Sequence, residues 1–217
     1  MLLGRRAEKE PELANISGKT YGLTTLSPIL RAEGSKHSLE VRRLLAEMPR
    51  GEDSPFARVT ATHMCRLVVI DDVPFVGHPA AEDHLLSSYL IFECNFHGTS
   101  LDAYLAAMKA GIPDAVHALW SHCIGYRGLD DWPAYMKKCQ IKTSLFFADV
   151  NDRSVEQTLK ALQVQAEVSA FLLAHQGKPA AEIQAAFQDL VERLRSGPTP
   201  APGALYYETF AKAAVAP

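Results

Sequence analysis

The stretch "SYLIFECNFHGTSLDAYL" (residues 88–105) changes its period part-way along, and that change decides the fold. From Tyr89 to Phe96 the side chains alternate as in a strand. Leu90, Phe92, Cys94 and Phe96 make an apolar face, while Tyr89, Ile91, Glu93 and Asn95 make a mixed one. Gly98, Thr99 and Ser100 then punctuate the chain, and Leu101, Leu105, Met108 and Ile112 recur at helical spacing. Thr99 reads as the helix cap, with Asp102 completing a capping-box-like pair. Cys94 and His97 lie three apart on a strand and so point to opposite faces, which speaks against both holding one ion.

Working outward, "YGLTTLSPI" (21–29) reads as a strand. Val41, Leu44, Leu45 and Met48 mark a helix, and "ARVTATHMCRLVVIDD" (57–72) reads as a long strand. "PDAVHALWSHC" continues helically, a short helix is expected over 132–139, and "KTSLFFADV" (142–150) is the last strand. Two helices follow. The first starts at a cap at Asp152 or Ser154, the second carries Ile183, Phe187, Leu190, Val191 and Leu194 on one side, and Gly177 and Pro179 break the chain between them.

The order is β-α-β-β-α-β plus two helices. It predicts an α+β, ferredoxin-like antiparallel sheet with helices on one face. Residues 1–18 are expected to be a flexible lead-in and 19–195 a single domain. Residues 196–217 read as a Pro-rich linker and a terminal arm bearing Tyr206 and Tyr207. Strand 57–72 is apolar on both faces, with Met64, Val68 and Ile70 opposite Cys65, Leu67 and Val69. An antiparallel sheet with one wet face should alternate instead. The second face is therefore expected to be covered, by the C-terminal helices or by the sheet of a second subunit.

The 217 residues, 47% hydrophobic and 22% charged, are those of an ordinary globular protein. A net charge of −3 gives no electrostatic reason to expect nucleic acid. The N-terminus turns charged after four residues, unlike a signal peptide. No apolar run reaches the roughly 18 residues of a membrane span. A cytoplasmic location with reduced thiols is expected, and the four cysteines form no CxxC pair.

"YGLTTLSPI", "SPFARVTATHMCRLVVIDD", "SYLIFECNFHGTSLDAYL" and "LWSHCIGYRG" together resemble a group of uncharacterised bacterial proteins of the dimeric α+β barrel type. Their members carry a His-containing "THFAR"-like strand and an "LLF-S-N-F-D-G" strand end. The resemblance covers residues 20–175 and implies a homodimer. More distantly, it extends to dye-decolourising haem peroxidases and to small barrels acting as monooxygenases or cyclases. The peroxidase GxxDG motif is not reproduced: Gly128-Leu129-Asp130-Asp131-Trp132 lacks the closing Gly, so no haem-ligand role is carried over from it. The family pattern also has an acid where this chain has His97.

Five residues are the candidates for chemistry. His63 and Glu93 are candidate catalytic acid/base groups, and Arg66, Tyr89 and Asn95 are candidate ligand-binding groups. Simple alternation puts His63 with Cys65 and Leu67, and Arg66 with Met64 and Val68, unless a bulge intervenes. Glu93 reads either as a salt-bridge partner of Arg66 or as a general base. No metal-ligand set is read from the sequence, and haem held by His63, His97 or His122 is kept open. The leading expectation is a small-ligand-binding barrel, with oxidoreductase, monooxygenase or cyclase chemistry on an apolar organic substrate. The alternatives are a non-catalytic dimerisation or protein-interaction module, and a haem-binding peroxidase-like protein.

Overall fold

The computed structural model describes residues 15–31, 36–74, 77–78 and 84–203. The terminal arm with Tyr206 and Tyr207, and all of the lead-in before Asn15, lie outside the described residues. The chain divides into two compact units, residues 1–48 with 61–152 and residues 49–60 with 153–217.

The first unit is an α+β layer structure. Its strands are β1 (Ile16–Ser17), β2 (Thr20–Pro28), β3 (Thr62–Ile70) and β4 (Tyr89–His97). They form one antiparallel sheet in the order β1-β2-β4-β3. Helices α1 (His37–Glu47), α2 (Leu101–Gly111), α3 (Pro113–Trp120) and α4 (Trp132–Cys139) belong to the same unit. Alternation along β4 is realised: Leu90, Phe92, Cys94 and Phe96 are buried, and the residues between them are half-buried. An aromatic chain ties that face to the helices. Phe96 stacks on Tyr104 of α2 with centroids 3.9 Å apart, and Phe92 meets Trp120 of α3 edge-on at 5.6 Å. Trp120 in turn meets Trp132 of α4 at 5.3 Å. Such ring pairs add to the large apolar area that each ring removes from water.

Three local expectations are corrected. The cap of α2 is Ser100 rather than Thr99, its Oγ accepting from the Ala103 amide at 3.3 Å. The 57–72 segment begins as a 3₁₀ turn (Pro55–Arg58), with the Val59 amide donating to the Phe56 carbonyl, so β3 starts only at Thr62. Residues 142–150 form no strand. The physical reason is competition for an edge. One side of β2 is paired with β4, and β1 already takes Thr20 and Tyr21 on the other. The returning chain bonds β2 where the Gln140 side-chain amide donates to the Tyr21 hydroxyl and the Ile141 amide to the Thr24 carbonyl, then runs beside β1 through Ser17 and Asn151. On the way it lays the Phe146 ring over Gly22, where a Cβ would come within 2.7 Å of the ring.

The second unit contains α5 (Val155–Ala174), α6 (Ala180–Ser196) and the 3₁₀ turns at Gly51–Asp53 and Pro55–Arg58. Ser154 caps α5 through a full capping box with Gln157. Phe56, Val59, Val155 and Leu190 are buried. Phe171 faces Phe187 at 5.9 Å, and Arg193 pairs with Glu167 at 3.2 Å. Gly203 sits at φ +81° where a Cβ would lie 2.5 Å from the Gly51 carbonyl carbon, so both backbone conformation and space call for glycine there. No helix among the described residues is long and apolar enough to cross a membrane.

Candidate functional site

The sheet face turned away from α2–α4 holds most of the candidate residues, in rows set by strand register. Pro28, Tyr89 and Ile70 form the first row, and Leu26, Ile91 and Val68 the second. Thr24, Glu93 and Arg66 form the third, and Gly22, Asn95 and Met64 the fourth. One end of the face is therefore apolar and the other polar. Neighbours directly opposite across antiparallel strands are close enough for side chains to touch.

Arg66 and Glu93 do pair, through Arg66 Nη2 and Glu93 Oε2. The guanidinium is largely exposed, so the pair adds little to stability; exposed pairs contribute about 0–1 kcal/mol. With Met64 and Asn95 they line a shallow depression of about 150 Å³. That is half the volume of about 300 Å³ at which pockets for drug-sized ligands begin. Met64 is 63% exposed and Val68 38%, so the second sheet face stays open among the described residues, where a cover was expected. Tyr89 stands four residues from Glu93 along β4, or about 13 Å at strand rise, and does not join the depression.

His63 departs from simple alternation. Thr62 lies opposite Phe96 and Met64 opposite Asn95, so β3 spends one extra residue against β4. At that bulge the His63 ring lies 6.2 Å from that of His97 at a steep angle. The same bulge brings Thr62 opposite Phe96 on the helix side, its hydroxyl 2.9 Å from the Tyr104 phenol. Burial, with His97 close by, lowers the pKa of His63 below its ordinary value. The ring is therefore neutral at pH 7 and able to accept a proton.

Three polar atoms at this end of the sheet have neither solvent nor a protein partner: His63 Nε2, His97 Nδ1 and Thr20 Oγ1. Thr20 is the register partner of His97, so two of the three sit directly across from each other. Buried polar atoms without partners are costly and uncommon, and a cluster of them asks for a ligand atom or bound water.

No family model, curated protein or solved structure matches this chain. The site must be judged on its own geometry.

Haem can be tested against that geometry. Asp130, the acid of the GxxDG-like string, is exposed and pairs with Lys109 at 2.6 Å, while Trp132 is fully buried in the helical layer. His122 Nδ1 meets His37 Nδ1 at 2.8 Å. A 150 Å³ depression is too small for a macrocycle. These residues do not fit haem in a single chain.

Burial disfavours the reactive thiolate at three of the four cysteines. Burial pushes Cys65 up to about 11 and Cys123 up to about 12, and raises Cys94 further still. The thiolate is the reactive form, and burial suppresses it at all three. His97 was kept open only as a haem ligand, and the bulge beside which its ring meets His63 has no Gly or Pro to mark it in the sequence.

Proposed function

We propose that this chain is a small-ligand-binding protein of the ferredoxin-like, α+β barrel type, completed by a second copy that closes over the open sheet face. The observation that carries this reading is the face itself. It joins exposed apolar side chains, the Arg66–Glu93 pair and three unpartnered buried polar atoms. The strand order of β2, β4 and β3, with the 140–151 segment at the far edge of β2, supports the ferredoxin-like assignment. A second sheet laid on the first supplies the missing wall for the 150 Å³ depression. The Arg66–Glu93 pair suits a two-fold axis, since each guanidinium can meet the opposite copy's carboxylate.

The ligand this face suits is an organic molecule with an apolar body and an acidic or anionic end. The apolar row of Leu26, Ile91 and Val68 meets the body, and Arg66, Asn95 and the neutral His63 meet the polar end. His63 or Glu93 is the acid/base group if the ligand is turned over.

The probe is 8-anilinonaphthalene-1-sulfonate, apolar at one end and anionic at the other. The dye should bind saturably, and Arg66→Gln should weaken it about 10-fold, the loss of roughly 1.4 kcal/mol expected for a charged hydrogen bond. Light scattering after gel filtration should give a dimer that Val68→Asp converts to monomer. A wild-type monomer, or dye binding indifferent to Arg66→Gln, defeats the proposal. A dimer without saturable dye binding favours the dimerisation-module reading, for which the exposed Met64 and Val68 are the supporting observation.

A further inference from the structure

We propose that His37, His122 and Glu40 form a site for a divalent transition metal of the zinc type, at the corner of the sheet unit where α1 meets the end of α3. The inference is independent of the ligand reading above.

Two imidazole Nδ1 atoms from residues 85 positions apart in sequence converge to 2.8 Å, with ring planes at 60°. One ring nitrogen donates its proton to the other. Replacing that proton by an ion needs only a small spreading of the rings. Two Zn–N bonds of about 2.0–2.1 Å at a tetrahedral angle hold their nitrogens about 3.4 Å apart.

Glu40 supplies the third donor. It lies three residues after His37 on α1, hence on the same helical face, and its carboxylate interacts electrostatically with His122. Its oxygens now accept from Arg43 Nε at 3.1 and 3.2 Å. Arg43 also donates to Glu47, so it keeps a carboxylate partner when Glu40 turns away. Among the described residues no three donors already converge on one point, so this rotamer change is part of the proposal. Two histidines and a carboxylate are the donor set of zinc sites that leave a fourth position to water. A cleft of about 290 Å³, lined by Arg31, Lys36, Ser38 and Ser88 beside His37, gives an ion and an anionic co-ligand access.

The test uses the full chain, stripped with chelator and titrated with Co²⁺ and then Zn²⁺. One Co²⁺ per chain should bind, with visible bands of low-symmetry nitrogen and oxygen coordination, and Zn²⁺ should displace it. His37→Ala and His122→Ala should each weaken binding at least about 100-fold, and Glu40→Gln about 10-fold or more. His117→Ala should leave it unchanged. Should a histidine variant fail to fold, nitrogen NMR of wild-type imidazoles decides the matter, because Zn²⁺ must then shift Nδ1 of His37 and His122 selectively. Binding that survives both histidine substitutions, shifts confined to other histidines, or no stoichiometric binding overturns the assignment.

Discussion

Phe92 and Ile91 are neighbours in sequence and face opposite worlds. Phe92 is wholly buried against Trp120, while Ile91 looks out over an open row with Leu26 and Val68. The covered face is held by packing between rings and aliphatic chains. The open face combines apolar surface and an ion pair, and buried polar atoms of His63, His97 and Thr20 without partners lie at one end of the sheet, an arrangement that costs stability in an isolated chain. The difference separates residues that make the fold from residues that the fold presents.

The largest expected effect tests the covered side. Phe92→Ala should cost about 3–5 kcal/mol in denaturant unfolding, the transfer and cavity cost of losing a buried ring. Ile91→Ala, one residue away, should cost far less in dilute protein. A penalty for Ile91→Ala that grows with protein concentration would show that a second copy covers the open face. Equal penalties at all concentrations would abolish the distinction between the faces.

The exception on the open face is Gly22, buried under the Phe146 ring. Gly22→Ala forces a methyl into that ring and should cost about 1–3 kcal/mol, as overpacking does. Because the obstacle is a side chain, Phe146→Ala in the same chain should recover much of the loss. A double-mutant cycle reads this directly, and additivity of the two costs would place the strain elsewhere.

How much of this was legible beforehand follows from the range of each interaction. The inward face of β4, helix 132–139 and the cap at Ser154 depend on neighbours within a few residues, and the sequence displays them. The Arg66–Glu93 pair was readable as one of two alternatives because the register of a hairpin-like pair follows from alternation. The fate of 142–150 was not readable. That segment is apolar and β-prone, but two residues of β1 occupy the edge it needed, and so short a strand leaves no periodic signal. The bulge at His63 and the meeting of His37 with His122 are likewise tertiary outcomes, the latter spanning 85 positions.

A smaller effect is expected from pH. The pKa of His63 lies below its unfolded value because burial disfavours the charged ring and His97 stands close by. A group with a depressed folded pKa contributes its full stability above the unfolded value, about 6.5 for histidine, and loses it as pH falls through the folded value. Stability should therefore decline on acidification below about pH 6.5 through this residue, as the unfolded chain takes up the proton first. Unfolding series at pH 7.5 and 5.5 should show a smaller acid loss in His63→Asn than in wild type. His122 is lowered for the same two kinds of reason, burial and a neighbouring histidine, so His63→Asn should remove only part of the acid dependence. An unchanged acid loss in His63→Asn would remove His63 from the proton-accepting role and leave Glu93 as the acid/base candidate of the face.

The smallest effect is expected at the centre of the open face. Glu93→Gln keeps the shape of the side chain and removes its charge, and the partner guanidinium is 70% exposed. Water therefore solvates Arg66 when the pair is broken, and the change in unfolding free energy should stay below about 1 kcal/mol. The same substitution should disturb the dimer if Glu93 meets the opposite copy's Arg66 across a two-fold axis, since desolvation there makes an unpaired guanidinium costly. Thermal unfolding and light scattering on one preparation separate these possibilities. A near-wild-type transition with a weakened dimer assigns Glu93 to the presented face. A loss of several kcal/mol with the oligomer intact would make the pair a part of the fold, and the open face would then lose its most specific polar contact with a ligand.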